Sequence, residues 1–260
     1  MGMTVAIASL SGGQGKTTVS FFLSKYLATK GKILACDLDP QSNLTFFLGY
    51  DLETTEASAY ELITGEVVPQ QCIYYSHDNA QLHIIPTDEG LAKAQDYLAT
   101  SGMGALILKS RLQEIKEQFK FIIIDSPPSR TQLALTSLGA ADVVIIPVET
   151  HVKGINSLLR TLELLDGLKS LAQVKPKILG VIPFRDRWIG RTQQRQSREA
   201  IAVMREIALE RGFIVFNSLV ESERYKQAID KGVLLDAVGY PELMITFQQI
   251  EEALCQLLID

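Results

Sequence analysis

At 260 residues, with 47% hydrophobic and 21% charged side chains, the chain holds enough apolar material for one large α/β core or two small ones. A net charge of −5 excludes indiscriminate nucleic-acid binding, so any such binding must come from a local patch. Cys36, Cys72 and Cys255 are widely spaced and form no Cys-x-x-Cys motif, which reads as small buried hydrophobes in a reducing compartment; with no apolar run of membrane-spanning length, a cytoplasmic protein is expected.

In chain order, Val5 to Leu10 is an apolar run that reads as a first strand rather than a signal-peptide core. Ser11-Gly12-Gly13-Gln14-Gly15-Lys16-Thr17-Thr18 follows, and Phe21, Phe22, Leu23, Tyr26 and Leu27 then recur at helical spacing. A strand, a glycine loop and a helix N-terminus in that order make a phosphate site, because the backbone N–H groups and the helix dipole both favour an anion there. Lys16 is placed to reach the terminal phosphates of ATP, and Thr17 to hold Mg²⁺. The usual pattern has a glycine where Leu10 stands.

Lys32 to Cys36 is a second apolar strand, closed by Asp37-Leu38-Asp39-Pro40, with Gln41 to Leu44 expected as loop. The stretch from about Asp51 to Gln81 is polar and irregular apart from a short helix at Ala57 to Ile63. Leu82 to Pro86 is a strand, helical patterns run to about Phe119, and Lys120 to Asp125 is the most continuous apolar run. Val143 to Pro147 and Ile178 to Pro183 repeat its type, with Ile155, Leu158, Leu159, Leu162 and Leu165 marking a helix face between them. A helix from about Thr192 to Arg211, a strand at Phe213 to Phe216 and two closing helices complete the chain. Continuous apolar strands alternating with helices predict a doubly wound, mostly parallel α/β sheet with helices on both faces, in one P-loop domain over 1–260.

Asp125 ends a buried strand, where a carboxylate supports the magnesium shell, and Asp37 and Asp39 end another and are candidates to place an attacking water. Arg185, Arg187, Arg191, Arg195 and Arg198 are concentrated in one segment whose nearby acids are Asp186 and Glu199, and Arg224, Lys226 and Lys231 form a later one. Arg191, Arg195 and Arg198, at i, i+4 and i+7, are expected on one helical face. Such a patch in an acidic chain points to sequence-independent contact with double-stranded DNA through Arg187, Arg191, Arg195, Arg198, Arg224 and Lys226, falling steeply with salt. Trp188 among the arginines is expected to pack rather than stack on bases. The histidines, His77, His83 and His151, have no ligand spacing, and His151 reads as a loop or cap residue.

Gly12-Gly13-Gln14-Gly15-Lys16-Thr17-Thr18, Asp37-Leu38-Asp39-Pro40-Gln41, Asp125-Ser126-Pro127-Pro128 and Ile146-Pro147-Val148 together resemble the deviant-Walker ATPases of the ParA/MinD type, over nearly the whole chain. The second of these motifs, with Asp-x-Pro-Pro, favours the ParA branch. The resemblance implies that Lys16 and Thr17 bind phosphate and Mg²⁺, with Asp39 tied to hydrolysis and to the metal and Asp125 as the acid behind it. It also implies an ATP sandwich homodimer that binds nonspecific DNA and associates with the nucleoid. The departure is Ser11. The family carries there a second lysine that crosses to the partner's phosphates, and a hydroxyl has neither the charge nor the reach to replace it.

Lys153, at the start of the Ile155 to Leu165 helix, is the candidate replacement, since a cation in a first helical turn opposes the dipole unless a phosphate is near. Serine at position 11 with a later lysine resembles the carboxysome-positioning branch, whose partner is an adaptor of the McdB kind; plasmid or chromosome partition with a ParB-type adaptor is the alternative. MinD-like members end in a basic amphipathic helix on lipid. Here Phe247, Ile250, Leu254 and Leu257 are backed by Glu251 and Glu252, and no Lys or Arg follows Lys231, so a docking helix and no membrane partner are expected. A metabolic ATP-dependent enzyme on the same fold lacks an extra catalytic group here, and an iron–sulfur donor lacks suitable cysteines. Adenine contacts are guessed at Ile182-Pro183-Phe184 and Val220-Glu221.

Overall fold

Side-chain alternation divides the longest apolar run between two cores: Phe121 and Ile123 enter one buried cluster, Ile122 and Ile124 the other. The same split holds for Val5 and Ile7 against Ala6 and Ala8, and for Ile33 and Ala35 against Leu34 and Cys36. Strands that bury both faces belong inside a sheet covered on both sides.

The computed structural model of the protein describes residues 2–76, 79–170 and 175–259; His77 lies outside them. Its first half runs β1 (Met3–Ile7), α1 (Lys16–Ala28), β2 (Ile33–Asp37), α2 (Asn43–Phe47), α3 (Ala59–Thr64), β3 (Tyr74–Ser76), β4 (Asn79–Ile85), α4 (Ala94–Thr100), α5 (Gly104–Gln113) and β5 (Phe121–Asp125). Its second half runs α6 (Gln132–Ala140), β6 (Val143–Glu149), α7 (Val152–Ser170), β7 (Lys177–Asp186), β8 (Trp188–Ile189), β9 (Thr192–Gln193), α8 (Arg195–Arg211), β10 (Ile214–Val215), β11 (Leu219–Val220), α9 (Glu223–Asp230) and α10 (Ile245–Ile259). One sheet is ordered β10-β7-β6-β1-β5-β2-β4-β3, with β11 also on β7, while β8 and β9 form a separate hairpin. Every described pairing in the large sheet is parallel except β3 with β4. The doubly wound sheet is therefore as expected.

In register, Ile7 and Asp37 both lie beside Asp125, so β1, β2 and β5 deliver their C-terminal ends to one crevice. Open parallel sheets bind ligands at such an edge.

Four local expectations need correction. Gln41 to Leu44 is not all loop, because α2 starts at Asn43: the Asp37 carboxylate draws in both the backbone N–H and the hydroxyl of Thr45, at 2.8 Å each. The irregular stretch hides β3, which turns back antiparallel on β4. Helix α6, begun by the Thr131 side chain accepting from Ala134 N–H, lies in a segment too apolar throughout to show a periodic face.

The fourth concerns the arginines. The long helix starts at Arg195, not near Thr192, so Arg191 does not share a helical face with Arg195 and Arg198. Gly190 takes φ 59, the chain reverses, and Ile189 and Trp188 pair with Thr192 and Gln193. A two-residue hairpin turn overrides the helical spacing of the charges.

Helix α10 packs on α1, as a docking helix should. Phe247 is fully buried, with its ring 5.6 Å from that of Phe22, which in turn lies 5.7 Å from Tyr225. Ile250 and Leu254 are fully buried beside it, and Leu257 packs at the margin. Among the described residues no helix is long and apolar enough to cross a membrane. Phe247→Ala is expected to cost about 3–5 kcal/mol of folding stability, read as a lowered denaturant midpoint at unchanged slope.

Candidate active site

Between β1 and α1 the chain wraps a cleft of about 490 Å³, lined by residues Gly12 to Thr18 together with Asp39, Gln41, Asn43, Phe47, Pro128, Phe184 and Arg185. Gly13 and Gly15 hold φ of 76 and 90, conformations that a residue with a Cβ seldom adopts. At Gly15 an added Cβ would also strike the Phe184 ring at 2.6 Å, so glycine is required there twice over. Helix α1 starts with no side-chain cap and no acid in its first turn, which leaves its positive end to an anion from outside. Gln14 is buried and its Oε1 accepts from the Glu149 N–H at 2.8 Å, pinning the loop to the end of β6.

Lys16 is nearly buried, and its Nζ donates to the Ser11 carbonyl at 3.1 Å. Burial lowers its pKa, against the opposing pull of Asp125 and Asp39, so a cation is held dry beside the loop. Thr17 donates its hydroxyl to Asp125 Oδ2 at 2.8 Å, and Ser20 donates to Oδ1 at 2.9 Å. A hydroxyl on the cleft backed by a buried carboxylate is an oxygen donor set suited to Mg²⁺, and the uncapped helix and dry lysine suit a nucleotide's phosphates. ATP and Mg²⁺ therefore fit the residues present.

The two strand-end acids differ. Asp37 is fully buried and lies off the cleft; its Oδ2 serves Thr45, and its Oδ1 accepts from Asp39 N–H at 3.1 Å. It organises the β2–α2 loop. Asp39 opens on the cleft, and among the described residues only its Oδ1 accepts, from Gln41 N–H at 3.1 Å. Of the pair, only Asp39 has an oxygen free to hold water.

Asp125 is pushed up from 3.8 to about 8, first by burial and then by the neighbouring Asp37, against the bonds from Thr17 and Ser20 and the charge of Lys16. Burial likewise raises Asp37. A carboxyl whose folded pKa is raised binds more protons folded than unfolded, so the nucleotide-free protein should lose stability as pH rises from about 4 to about 8. Asp125→Asn should flatten that slope in denaturant titrations at several pH values, while weakening Mg²⁺-dependent nucleotide binding.

The cradle continues past Thr18, Phe47, Phe184 and Arg185 into a second cleft of about 680 Å³, which Val220, Glu221 and Lys226 also line. Phe184, Val220 and Glu221 thus line the groove that continues from the cradle. Pro183 does not: it is buried in β7 and opens on a different cavity. Lys226, expected on a DNA face, is exposed on α9 and also lines this second cleft.

Sequence reasoning missed Asn43 and Phe47, which carry no distinctive motif; Gln41 and Pro128 stood in quoted motifs without being given a place at the site, and Arg185 was grouped with the basic segment. Arg185 holds φ 54, lies over the Phe184 ring at 5.5 Å and donates to Glu149 Oε1 at 3.2 Å. Its backbone strain at the junction of the two clefts has no sequence signature.

Lys153 lies in the first turn of α7, exposed, off its own cleft and without a hydrogen-bond or ion-pair partner among the described residues. His151 caps that turn: its Nδ1 accepts from Gly154 N–H at 3.1 Å and its Nε2 meets Glu149 Oε2 at 2.8 Å. Gly154 has no room for a Cβ, which would lie 1.9 Å from the Glu149 carbonyl. Ser11 supplies its carbonyl to Lys16 and lies outside the cleft lining.

The family described as an AAA domain matches residues 2–173. Maintenance of carboxysome distribution protein A of Gloeothece citriformis is 51% identical over 251 residues, covering 96% of both chains. The protein of that name from Synechococcus elongatus is 48% identical over 253 residues, 97% of this chain and 99% of its own. In structure, the ATP complex of a Cyanothece McdA variant with one aspartate changed to alanine matches with a TM-score of 0.94 at 50% identity, covering 97% of this chain and 96% of that one.

Proposed function

The chain belongs to the AAA-domain family of ParA/MinD-type ATPases, and on that premise we propose that it is the ATPase that distributes carboxysomes over the nucleoid. Supporting the choice of cargo is the near-full-length similarity to the two carboxysome distribution proteins, together with Ser11 at the position where most of the family has lysine. In this reading ATP closes a homodimer, the dimer binds nonspecific double-stranded DNA, and an adaptor of the McdB kind stimulates hydrolysis and release. Partition with a ParB-type adaptor is the second reading, favoured by the shared Asp-x-Asp-Pro-Gln and Asp-x-Pro-Pro motifs.

The chemistry is phosphoryl transfer to water, in which the protein's work is positioning and charge neutralisation. Bound Mg²⁺ would neutralise charge on the phosphates. Thr17 and Asp125 would hold it, with Asp39 reaching its water shell. Lys16 and the loop N–H groups would hold the phosphates, and Asp39 would orient the attacking water and accept its proton. Lys153 would bring the second cation from the partner subunit. These side chains exclude bulk water only on the cradle side, so closure of the open side falls to the second copy.

Binding to a nonspecific duplex, measured with ATP and with ADP at two salt concentrations, tests the reading. Expected is ATP-dependent binding that weakens steeply with salt. Binding indifferent to the nucleotide would sink it.

A further inference from the structure

The arginines expected to meet DNA are not equally free. Arg195 is engaged by Glu199 at 2.6 Å, and Arg224 lies 3.9 Å over the Tyr240 ring with Glu242 at 3.7 Å. Arg191 and Arg198 are exposed and have no ion-pair partner among the described residues. Arg187 is the informative one. Its Nε lies 2.9 Å from Glu221 Oε2 and its Nη2 donates to Oε1 at 3.1 Å, and Glu221 lines the cleft that continues from the phosphate cradle. One carboxylate thus faces the nucleotide side with its cleft and the basic hairpin with its bond.

A second tie joins the same elements. Asp186, 1% exposed, accepts at Oδ2 from Trp188 Nε1 at 3.0 Å and from Ser218 Oγ at 2.6 Å, and at Oδ1 from Gln193 Nε2 at 2.9 Å. Its backbone carbonyl accepts from Glu221 N–H at 2.9 Å. The hairpin base and the strand that ends in the cleft wall therefore share one buried carboxylate. The hairpin tip, by contrast, is open: Ile189 is 72% exposed, and Arg191 stands at the turn beside Gly190.

We propose that the β8–β9 hairpin is the phosphate-contacting arm of this protein, and that Glu221 withholds Arg187 from it until a nucleotide fills the second cleft. Filling that cleft brings sugar hydroxyls or base amines against the Glu221 carboxylate. The Arg187–Glu221 pair is half exposed on both sides, a class of ion pair weak enough for one competing hydrogen bond to displace. Arg187, at the base of the hairpin, is then left on the same arm as Arg191 at its tip, an arm whose base Asp186 ties to the cleft wall. Nucleotide occupancy and DNA affinity become coupled within one subunit, before any contribution from dimerisation. The inference rests on the DNA-binding reading above.

Trp188 is the single tryptophan and sits on the arm, so its emission reports the arm directly and without DNA. Wild-type emission is expected to shift on adding ADP. Glu221→Gln should start near the nucleotide-saturated wild-type value and change little further. Glu223→Gln removes the same charge from the same cleft but not from Arg187, and should behave as wild type. In nucleotide-free protein Glu221→Gln should bind duplex DNA about three-fold tighter, with a log–log salt slope steeper by about one. Arg187→Ala should lose that gain in the double variant. If Glu221→Gln matches Glu223→Gln in both readouts while wild type binds DNA with ATP, the latch is wrong and the positioning reading survives. If wild type binds no DNA with ATP, both fall.

Discussion

Asp39→Ala is expected to lower ATP hydrolysis by roughly 10²-fold or more, the scale of a lost general base, while ATP affinity stays within about three-fold of wild type. Asp39 opens on the cleft with one carboxylate oxygen that has no partner among the described residues, whereas the bonds that anchor the β2–α2 loop belong to Asp37 except for that from Gln41 N–H to Asp39 Oδ1. Removing Asp39 would therefore strip the oxygen proposed to hold water, at the cost of one loop bond, while the Asp37 bonds remain. Phosphate release measured beside equilibrium nucleotide binding separates the two effects. A variant that fails to bind ATP would instead give Asp39 a structural role. Asp37→Ala should behave in the opposite sense, because it leaves the Thr45 N–H and hydroxyl without their acceptor in a buried site. That loss is of the order of 1–3 kcal/mol per group, so stability falls and both binding and hydrolysis weaken with it.

The two acids also show what a sequence carries and what it omits. Both end the same strand, both belong to the same short motif, and nothing in Asp37-Leu38-Asp39 says which one reaches water. The answer comes from Thr45, eight residues after Asp37, whose N–H and hydroxyl both find the same oxygen. The central strands were legible because a parallel sheet buried on both faces needs continuous apolar runs, and Phe121 to Ile124 has no other stable place. The cradle was legible because Gly13 and Gly15 occupy backbone conformations that restrict the residue type. Arg185 sits in the same left-handed region, yet it is held there by bonds to its neighbours and so leaves no mark in its residue type.

The basic patch was half legible. Charge density marked a basic segment, but helical spacing placed Arg191 on α8, and a two-residue turn puts it on a hairpin instead. Lys226 was counted by its charge alone, and its place on the margin of the second cleft carries no mark in the sequence. Counting charges cannot distinguish an arginine facing solvent from one engaged by Glu199 or Glu221, since those partners depend on the register of helices and strands.

Lys153→Ala is expected to weaken ATP-dependent dimerisation and DNA binding by about 10- to 100-fold, the scale of one charge-assisted contact to phosphate, with monomer ATP affinity little changed. Ser11 contributes only its carbonyl, so no second cation enters from the loop. Lys153 is exposed, off its own cleft and in the positive first turn of α7, where a lysine is locally unfavourable. The rest of that turn is tightly built: Gly154 fits against the Glu149 carbonyl, His151 caps it, and Glu149 is itself tied to Gln14 of the cradle. A lysine on so rigid a mount, exposed and outside its own cradle's lining, fits the proposed contact with another subunit's phosphates. The double variant Ser11→Lys, Lys153→Ala makes the test specific. If position 11 and position 153 supply the same charge by different routes, the lysine restored at 11 should recover ATP-dependent dimerisation, read by light scattering. Lys153→Ala with unchanged dimerisation and DNA binding would show that the site is completed by some other group.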